Sequence, residues 1–233
     1  MEARKLLFAA LAACTTSAAR TSWPPPIAPV WPTVFTAWVH GASPGSNITA
    51  ESGKWYYEWP TDRYRADYLN TFDDGSSRND TQFWDAGNRT FYFFEDNFAT
   101  CGFFKMPLSI LRPDWAEKSN STWLNRSTVE GVESDVYFAD GGPGNQFYLA
   151  QDPRTNLPVK MWGTDGGGNS FDSIVVGGDW KKPDYEGPDP FNSLDMSLCT
   201  QVSSLSVAQT SGFLVLRAAL ALASLDSASG SGV

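Results

Sequence analysis

The segment from Lys54 to Tyr68, KWYYEWPTDRYRADY, limits the fold more than any other part of the chain. Tryptophans, tyrosines and charged residues alternate in it about a single proline, which is the pattern of two amphipathic β-strands joined by a turn. On the first strand Trp55, Tyr57 and Trp59 fall on one face at period two, with Tyr56 and Glu58 on the other. On the second, Tyr64, Ala66 and Tyr68 oppose Arg63, Arg65 and Asp67. Pro60, Thr61 and Asp62 supply the turn. A sheet face this wide and aromatic has to be covered, either by a second layer or by a bound apolar molecule.

Strand signals recur at short intervals: 33–40, 55–59, 63–70, 81–85, 89–94 and 100–105, then 132–139, 146–150, 158–163 and 171–177. Turn clusters such as Ser43-Pro44-Gly45, Asp73-Asp74-Gly75, Gly141-Gly142-Pro143-Gly144 and the glycine-rich run 165–169 separate them. Residues 107–124 break the alternation and read as a loop with one short helix from about Pro113. The pattern predicts an all-β fold: a curved antiparallel sheet, as an open half-barrel or a two-sheet sandwich, with one or two short helices.

Residues 1–19 have the form of a secretory signal peptide, with a charged start, the apolar run Leu6 to Cys14 and the small residues Ser17-Ala18-Ala19. The apolar run is too short to span a bilayer. A stiff proline-rich arm follows over 20–32, then a β domain over 33–199. A tail over 200–233 contains the one credible helical tract, Val207 to Ser224, interrupted by Arg217. Five Asn-x-Ser/Thr sequons begin at Asn47, Asn79, Asn88, Asn120 and Asn125, so the expected product is a secreted extracellular glycoprotein with those asparagines on its surface. Once Cys14 leaves with the leader, Cys101 and Cys199 remain as an even pair in an oxidising compartment, and a disulfide between them is predicted. A net charge of −9 provides no basic stripe for phosphates and argues against nucleic acid as a partner.

Several segments in this order carry a family resemblance: VFTAWVH, GKWYYEWPTDRYRADY, TCGFF, PDWAEKSNSTWL, VEGVESDVYFAD, NQFYLAQD, LPVKMWG and PFNSLDMSLC. Over roughly 33–199 the chain resembles the ependymin-related proteins and their distant relatives with the bacterial lipoprotein-carrier fold. The resemblance implies a secreted glycoprotein whose curved sheets enclose a hydrophobic pocket for a lipid-like ligand, often as a homodimer, with calcium bound by some members. The chain departs from that pattern in having two mature cysteines where relatives commonly have four.

Catalytic groups are sparse. His40 is the only histidine, at the end of a strand beside Gly41, which suits a structural or exposed role better than a general base. No nucleophile elbow or phosphate loop occurs. Two carboxylates could run glycoside hydrolysis, yet nothing pairs any two across a cleft, so no enzyme is expected. Asp73, Asp74, Asp80, Asp140 and Asp165 offer hard oxygens without EF-hand spacing; they read as ordinary turns, with no cofactor expected and calcium the one ion they would suit. The candidate ligand-binding residues are Trp55, Tyr57, Tyr64, Tyr68, Phe91, Phe93, Phe147 and Trp162, with Arg63 and Arg65 as partners for a polar head or, alternatively, for Asp62 and Asp67. Two functional readings stand side by side: a carrier of an apolar small molecule or lipid, and an adhesion or matrix component that needs no pocket.

Overall fold

The computed structural model describes residue 26 and residues 30–42, 47–106, 109–119, 121–140, 146–164, 170–177 and 189–202. The leader, the 203–233 tail, most of the proline-rich arm, Asn120 and the glycine-rich run 165–169 lie outside them.

The fold is all-β. Its strands are β1 (Val34–Ala42), β2 (Ile48–Glu58), β3 (Arg63–Phe72), β4 (Ser77–Asp85), β5 (Thr90–Glu95), β6 (Thr100–Lys105), β7 (Thr122–Val129), β8 (Val132–Asp140), β9 (Gln146–Asp152), β10 (Leu157–Thr164), β11 (Ser170–Gly177) and β12 (Thr200–Gln201), with one short helix, α1 (Trp115–Lys118). Their order in the sheet is β12-β6-β5-β4-β3-β2-β1-β11-β10-β9-β8-β7, antiparallel throughout except for β12 beside β6. Two runs of hairpins are thus joined where β1 pairs with β11, and β7 and β12 form the open ends. A flat sheet of this many strands would be roughly 50 Å wide. Yet Phe35 and Trp84 from one run share a buried cluster with Phe147, Leu149 and Met161 from the other, so the sheet curls into an open half-barrel.

The predicted hairpin forms as read. Tyr57 pairs with Tyr64 and Trp55 with Ala66, and the turn is a single 3-10 turn over Trp59–Thr61 closed by Asp62 in the left-handed region (φ 53°). The concave face is covered by the chain itself: Trp115 and Ala116 of α1 are buried there, with Ile110, Met106 and Trp31. The Trp115 ring meets Phe147 edge-on at 4.9 Å and Trp31 at 5.8 Å. Trp31, at the end of the proline-rich arm, is docked rather than free, its backbone N–H donating to the Pro113 carbonyl at 2.8 Å.

The convex face has a second cover. Phe191 and Leu194, with Met196 and Cys199, pack on Phe83, Phe94, Tyr92 and Tyr56. This strap over 189–202 is tied at its far end by the predicted disulfide, Cys101–Cys199, with Cα atoms 4.6 Å apart, and finishes as β12.

Two strands depart from the sequence expectation. β7 begins inside the 107–124 stretch read as loop and continues through residues for which no strand is expected; it is an edge strand and mostly exposed. Its pairing with β8 is fixed by the two-residue turn Glu130-Gly131, both at positive φ (49° and 79°), a primed turn whose twist suits a hairpin. β12 is two residues long and exists only because the strap is delivered to β6.

The bridged loop spans a separation of 98 residues, so in the chain-entropy account the disulfide contributes about 4–5 kcal/mol. Reduction, or Cys199→Ala, should lower the unfolding free energy by about that much. The same change should open the outer face to a hydrophobic dye, measured by denaturant titration and dye fluorescence with and without reductant.

Candidate functional site

The expected ligand-binding aromatics divide by strand register. Trp55, Tyr57, Tyr64, Tyr68, Phe91 and Phe147 all project to the concave side and are buried in the main core cluster. They are held by one another. Phe35 stacks on Tyr57 at 4.7 Å, Trp55 Nε1 donates to Tyr68 Oη at 2.8 Å, and Tyr57 Oη donates to the Leu111 carbonyl at 2.6 Å. Phe93 is half-buried on the same side, where it covers Gly102 on the neighbouring strand; a Cβ there would collide with its ring. Trp162 does not join them. It pairs across the ladder with Tyr148, and the two rings stack at 5.3 Å, so it lies on the opposite face from Phe147. The grouping of Trp162 with Phe147 is therefore corrected by a one-residue parity that the sequence does not fix.

The arginines are engaged with the protein's own groups. Arg63 meets Glu58 and, at 3.9 Å, Asp189, while its guanidinium sits 4.5 Å over the Phe191 ring. Arg65 bonds Asp67 at 2.8 Å, the Ser193 hydroxyl at 2.8 Å and the Pro190 carbonyl. Their role as a head-group clamp is replaced by that of pins for the strap. The pairing with Asp67 was one of the two uses expected of them.

On the convex face, beside the strap, the structure opens a groove of about 530 Å³, a volume typical of small-ligand sites. Two ladder rows form its floor: Trp38, Lys54, Asp67 and Thr81 across β1–β4, and next to them His40, Ser52, Leu69 and Asn79. Phe98, from the β5–β6 turn, closes one end. Three large apolar side chains stand in the groove exposed to solvent: Trp38 at 57%, Phe98 at 54% and Leu69 at 44%. Of the predicted residues, Arg65 lines it; Tyr68 borders it too, although its ring is turned into the core on the other face.

Two backbone irregularities flank this groove. The β1–β11 ladder shifts register between Trp38 and Val39. At the other end Asp96, Asn97 and Phe98 are successive left-handed residues (φ 51°, 54° and 69°), a conformation that costs of order 1 kcal/mol or more for a bulky residue. The turn is held by Asn97 N–H donating to the Asn79 carbonyl at 3.1 Å and by Asn79 Nδ2 donating to Asn97 Oδ1 at 3.0 Å, with Phe98 edge-on to Phe94 at 5.3 Å.

The charges are distributed unevenly. Asp67 is held by Arg65 and by the Thr81 hydroxyl, and Asp80 by Arg78 and Asn70. Lys54 Nζ instead lies over the Trp38 ring at 5.4 Å and the Tyr56 ring at 5.0 Å. Inside the concave core the indole N–H groups of Trp31, Trp84 and Trp115 and the Gln82 side-chain oxygen are buried with no hydrogen-bond partner among the described residues. Among the described residues no three acidic, histidine or cysteine side chains group as metal ligands, and Asp165 falls outside them.

Burial, first of all, pushes the phenols of Tyr57, Tyr64 and Tyr68 well above their ordinary value of 10.0. Folded phenols that keep their protons longer than unfolded ones stabilise the fold fully below pH 10 and lose that contribution as the pH climbs above it. Stability should therefore hold to about pH 9–10 and then fall, by up to about 1.4 kcal/mol per pH unit for each such phenol. Tyr64→Phe should flatten this alkaline slope, as followed by thermal unfolding between pH 8 and 11.

Among solved structures, the fold is similar to an uncharacterized conserved protein from Thermus thermophilus (10% identity, 73% of this chain and 91% of that one, TM-score 0.47). It is also similar to the MucA/MucB complex of Pseudomonas aeruginosa (18% identity, 66% and 54%, TM-score 0.37) and to a β-barrel-like DUF1849 protein from Brucella abortus (13% identity, 64% and 98%, TM-score 0.26). The chain spans about half the length of the MucA/MucB chain it matches. No curated protein matches it. Residues 30–176, which take in β1 to β10 and nearly all of β11, match the family described as a domain of unknown function, DUF8395, and the chain belongs to that family.

Proposed function

We propose that this chain is a secreted, N-glycosylated binding protein that takes a hydrophobic or amphipathic, lipid-like molecule on its curved sheet and carries out no reaction on it. The observation that supports this best is the convergence of Trp38, Leu69 and Phe98 from three separate elements in one groove of about 530 Å³. Single exposed apolar residues are ordinary on a protein surface; three lining one concavity make a patch that a ligand or partner would cover. The flanking register shift and left-handed turn add weight, because such irregularities re-aim side chains at functional sites. This moves the site from the concave aromatics, which are the core, to the convex face. The resemblance of the KWYYEWPTDRYRADY hairpin to ependymin-related proteins supports the same class of ligand.

Export is supported by the disulfide, which suits an oxidising compartment, and by the exposure of Asn47, Asn79, Asn88 and Asn125. Among the described residues no helix is long and apolar enough to cross a membrane. Asn79 is part of the groove floor at its β4 end, so a glycan there would stand near Phe98 and leave Trp38 uncovered. Calcium, and pairing into a homodimer, are parts of the proposal that the resemblance alone carries.

Native mass spectrometry of protein secreted from eukaryotic cells tests the reading. The wild type should retain an endogenous lipid-sized adduct. The double variant Trp38→Ala/Phe98→Ala should lose it, with Tm changed by no more than about 2–4 °C because both side chains are exposed. An empty wild type that self-associates, with association lost in the double variant, would favour an adhesion role for the same patch.

A further inference from the structure

We propose that the groove selects an anionic, single-chain amphiphile, a long-chain carboxylate, whose head is held by Lys54 and whose chain runs over Leu69 to Phe98. This inference rests on the groove being the ligand site. Each carboxylate lining the groove is already matched, Asp67 by Arg65 and Asp80 by Arg78. Among the described residues no carboxylate lies within salt-bridge distance of Lys54, even though Asp67 is its neighbour across the ladder. A −9 chain that sets one ammonium in an apolar groove, with no carboxylate among the described residues on it, has built a local attraction for a negative head against its overall charge.

The position of that ammonium is defined. It lies over two aromatic faces, Trp38 and Tyr56, which hold the long side chain in place and reduce the entropy lost when an anion binds. From this end the groove crosses the sheet through Leu69 and Asn79 to Phe98. It crosses from the β1–β2 ladder to the β5–β6 turn, three to four strand spacings or roughly 15–19 Å, which is close to the length of an extended acyl chain of a dozen or more carbons. Head and tail sites therefore lie at opposite ends of one groove. Asn79 lies on the β4 side, away from Lys54, and leaves the head end open. Ser52 and His40 lie beside Lys54 and can donate further hydrogen bonds to a carboxylate.

The experiment compares oleic acid with oleyl alcohol, which has the same chain and no charge, both below their aggregation limits, by isothermal titration of the secreted protein at neutral pH. Wild type should bind oleate about tenfold more tightly than the alcohol, the scale of one charge-assisted contact in a partly dry site. Lys54→Gln should bring oleate to within about threefold of the alcohol while leaving the alcohol unchanged, and Lys54→Arg should keep the preference. Equal binding of the two by wild type, or a preference that survives Lys54→Gln, would overturn the head-group assignment and leave the groove as a nonselective apolar site. Failure of both ligands to bind would remove the groove reading along with it. Binding of anionic vesicles but not of monomeric oleate would also overturn the proposal in favour of a membrane surface.

Discussion

The structure depends on one constraint: in β2–β6 both faces of the sheet are aromatic, so neither can face water. Strand parity sends Tyr57, Tyr64, Trp84 and Phe91 to one side and Tyr56, Phe83, Tyr92 and Phe94 to the other. An antiparallel sheet of this kind ordinarily leaves one face solvated. Here two separate pieces of chain serve as covers, α1 with the Trp31 arm inside and the 189–202 strap outside. The second cover is too short to hold itself. It brings two buried apolar side chains, Phe191 and Leu194, and is secured by the Arg63 and Arg65 contacts at one end and the disulfide at the other. The groove begins where this cover stops, one ladder row beyond Tyr56 and Arg65.

What the sequence revealed follows from how local each signal is. The Lys54–Tyr68 hairpin, ten of the twelve strands among the described residues, the short helix near Pro113 and the Cys101–Cys199 bridge all rest on period-two alternation, turn residues or cysteine count. β7 and β12 do not, because an edge strand and a two-residue bridge owe their existence to the neighbour that receives them. The same limit explains the site. Aromatic richness pointed to Trp55, Tyr57 and Tyr64, but the number of rings on a strand does not say whether other rings or water will meet them. Trp38, Leu69 and Phe98 are far apart in sequence and ordinary when taken singly. The one local signal at the groove was the Asp96-Asn97 pair, residue types that tolerate the left-handed region and here carry Phe98 with them.

Electrostatics separate two parts of the convex face, the strap and the groove beside it. The arginines of the hairpin, which looked available for a ligand, are used in holding the strap, each with a carboxylate and a second contact. Lys54, whose partner on the ladder is already taken by an arginine, is left on aromatic faces. Arginine's planar fork suits the multiply bonded strap contacts, and lysine's single mobile ammonium suits a site that must accept and release something.

The strap also sets an order of events during synthesis. Phe83, Phe94 and Cys101 are made well before their cover, since Cys199 follows Cys101 by 98 residues. At ribosomal speeds of about 5–20 residues per second, the greasy back of the nascent sheet waits roughly 5–20 s for its lid. During that interval the Cys101 thiol is unpartnered and the neighbouring rings are uncovered, so this face closes only once Cys199 and the strap that carries it have been made.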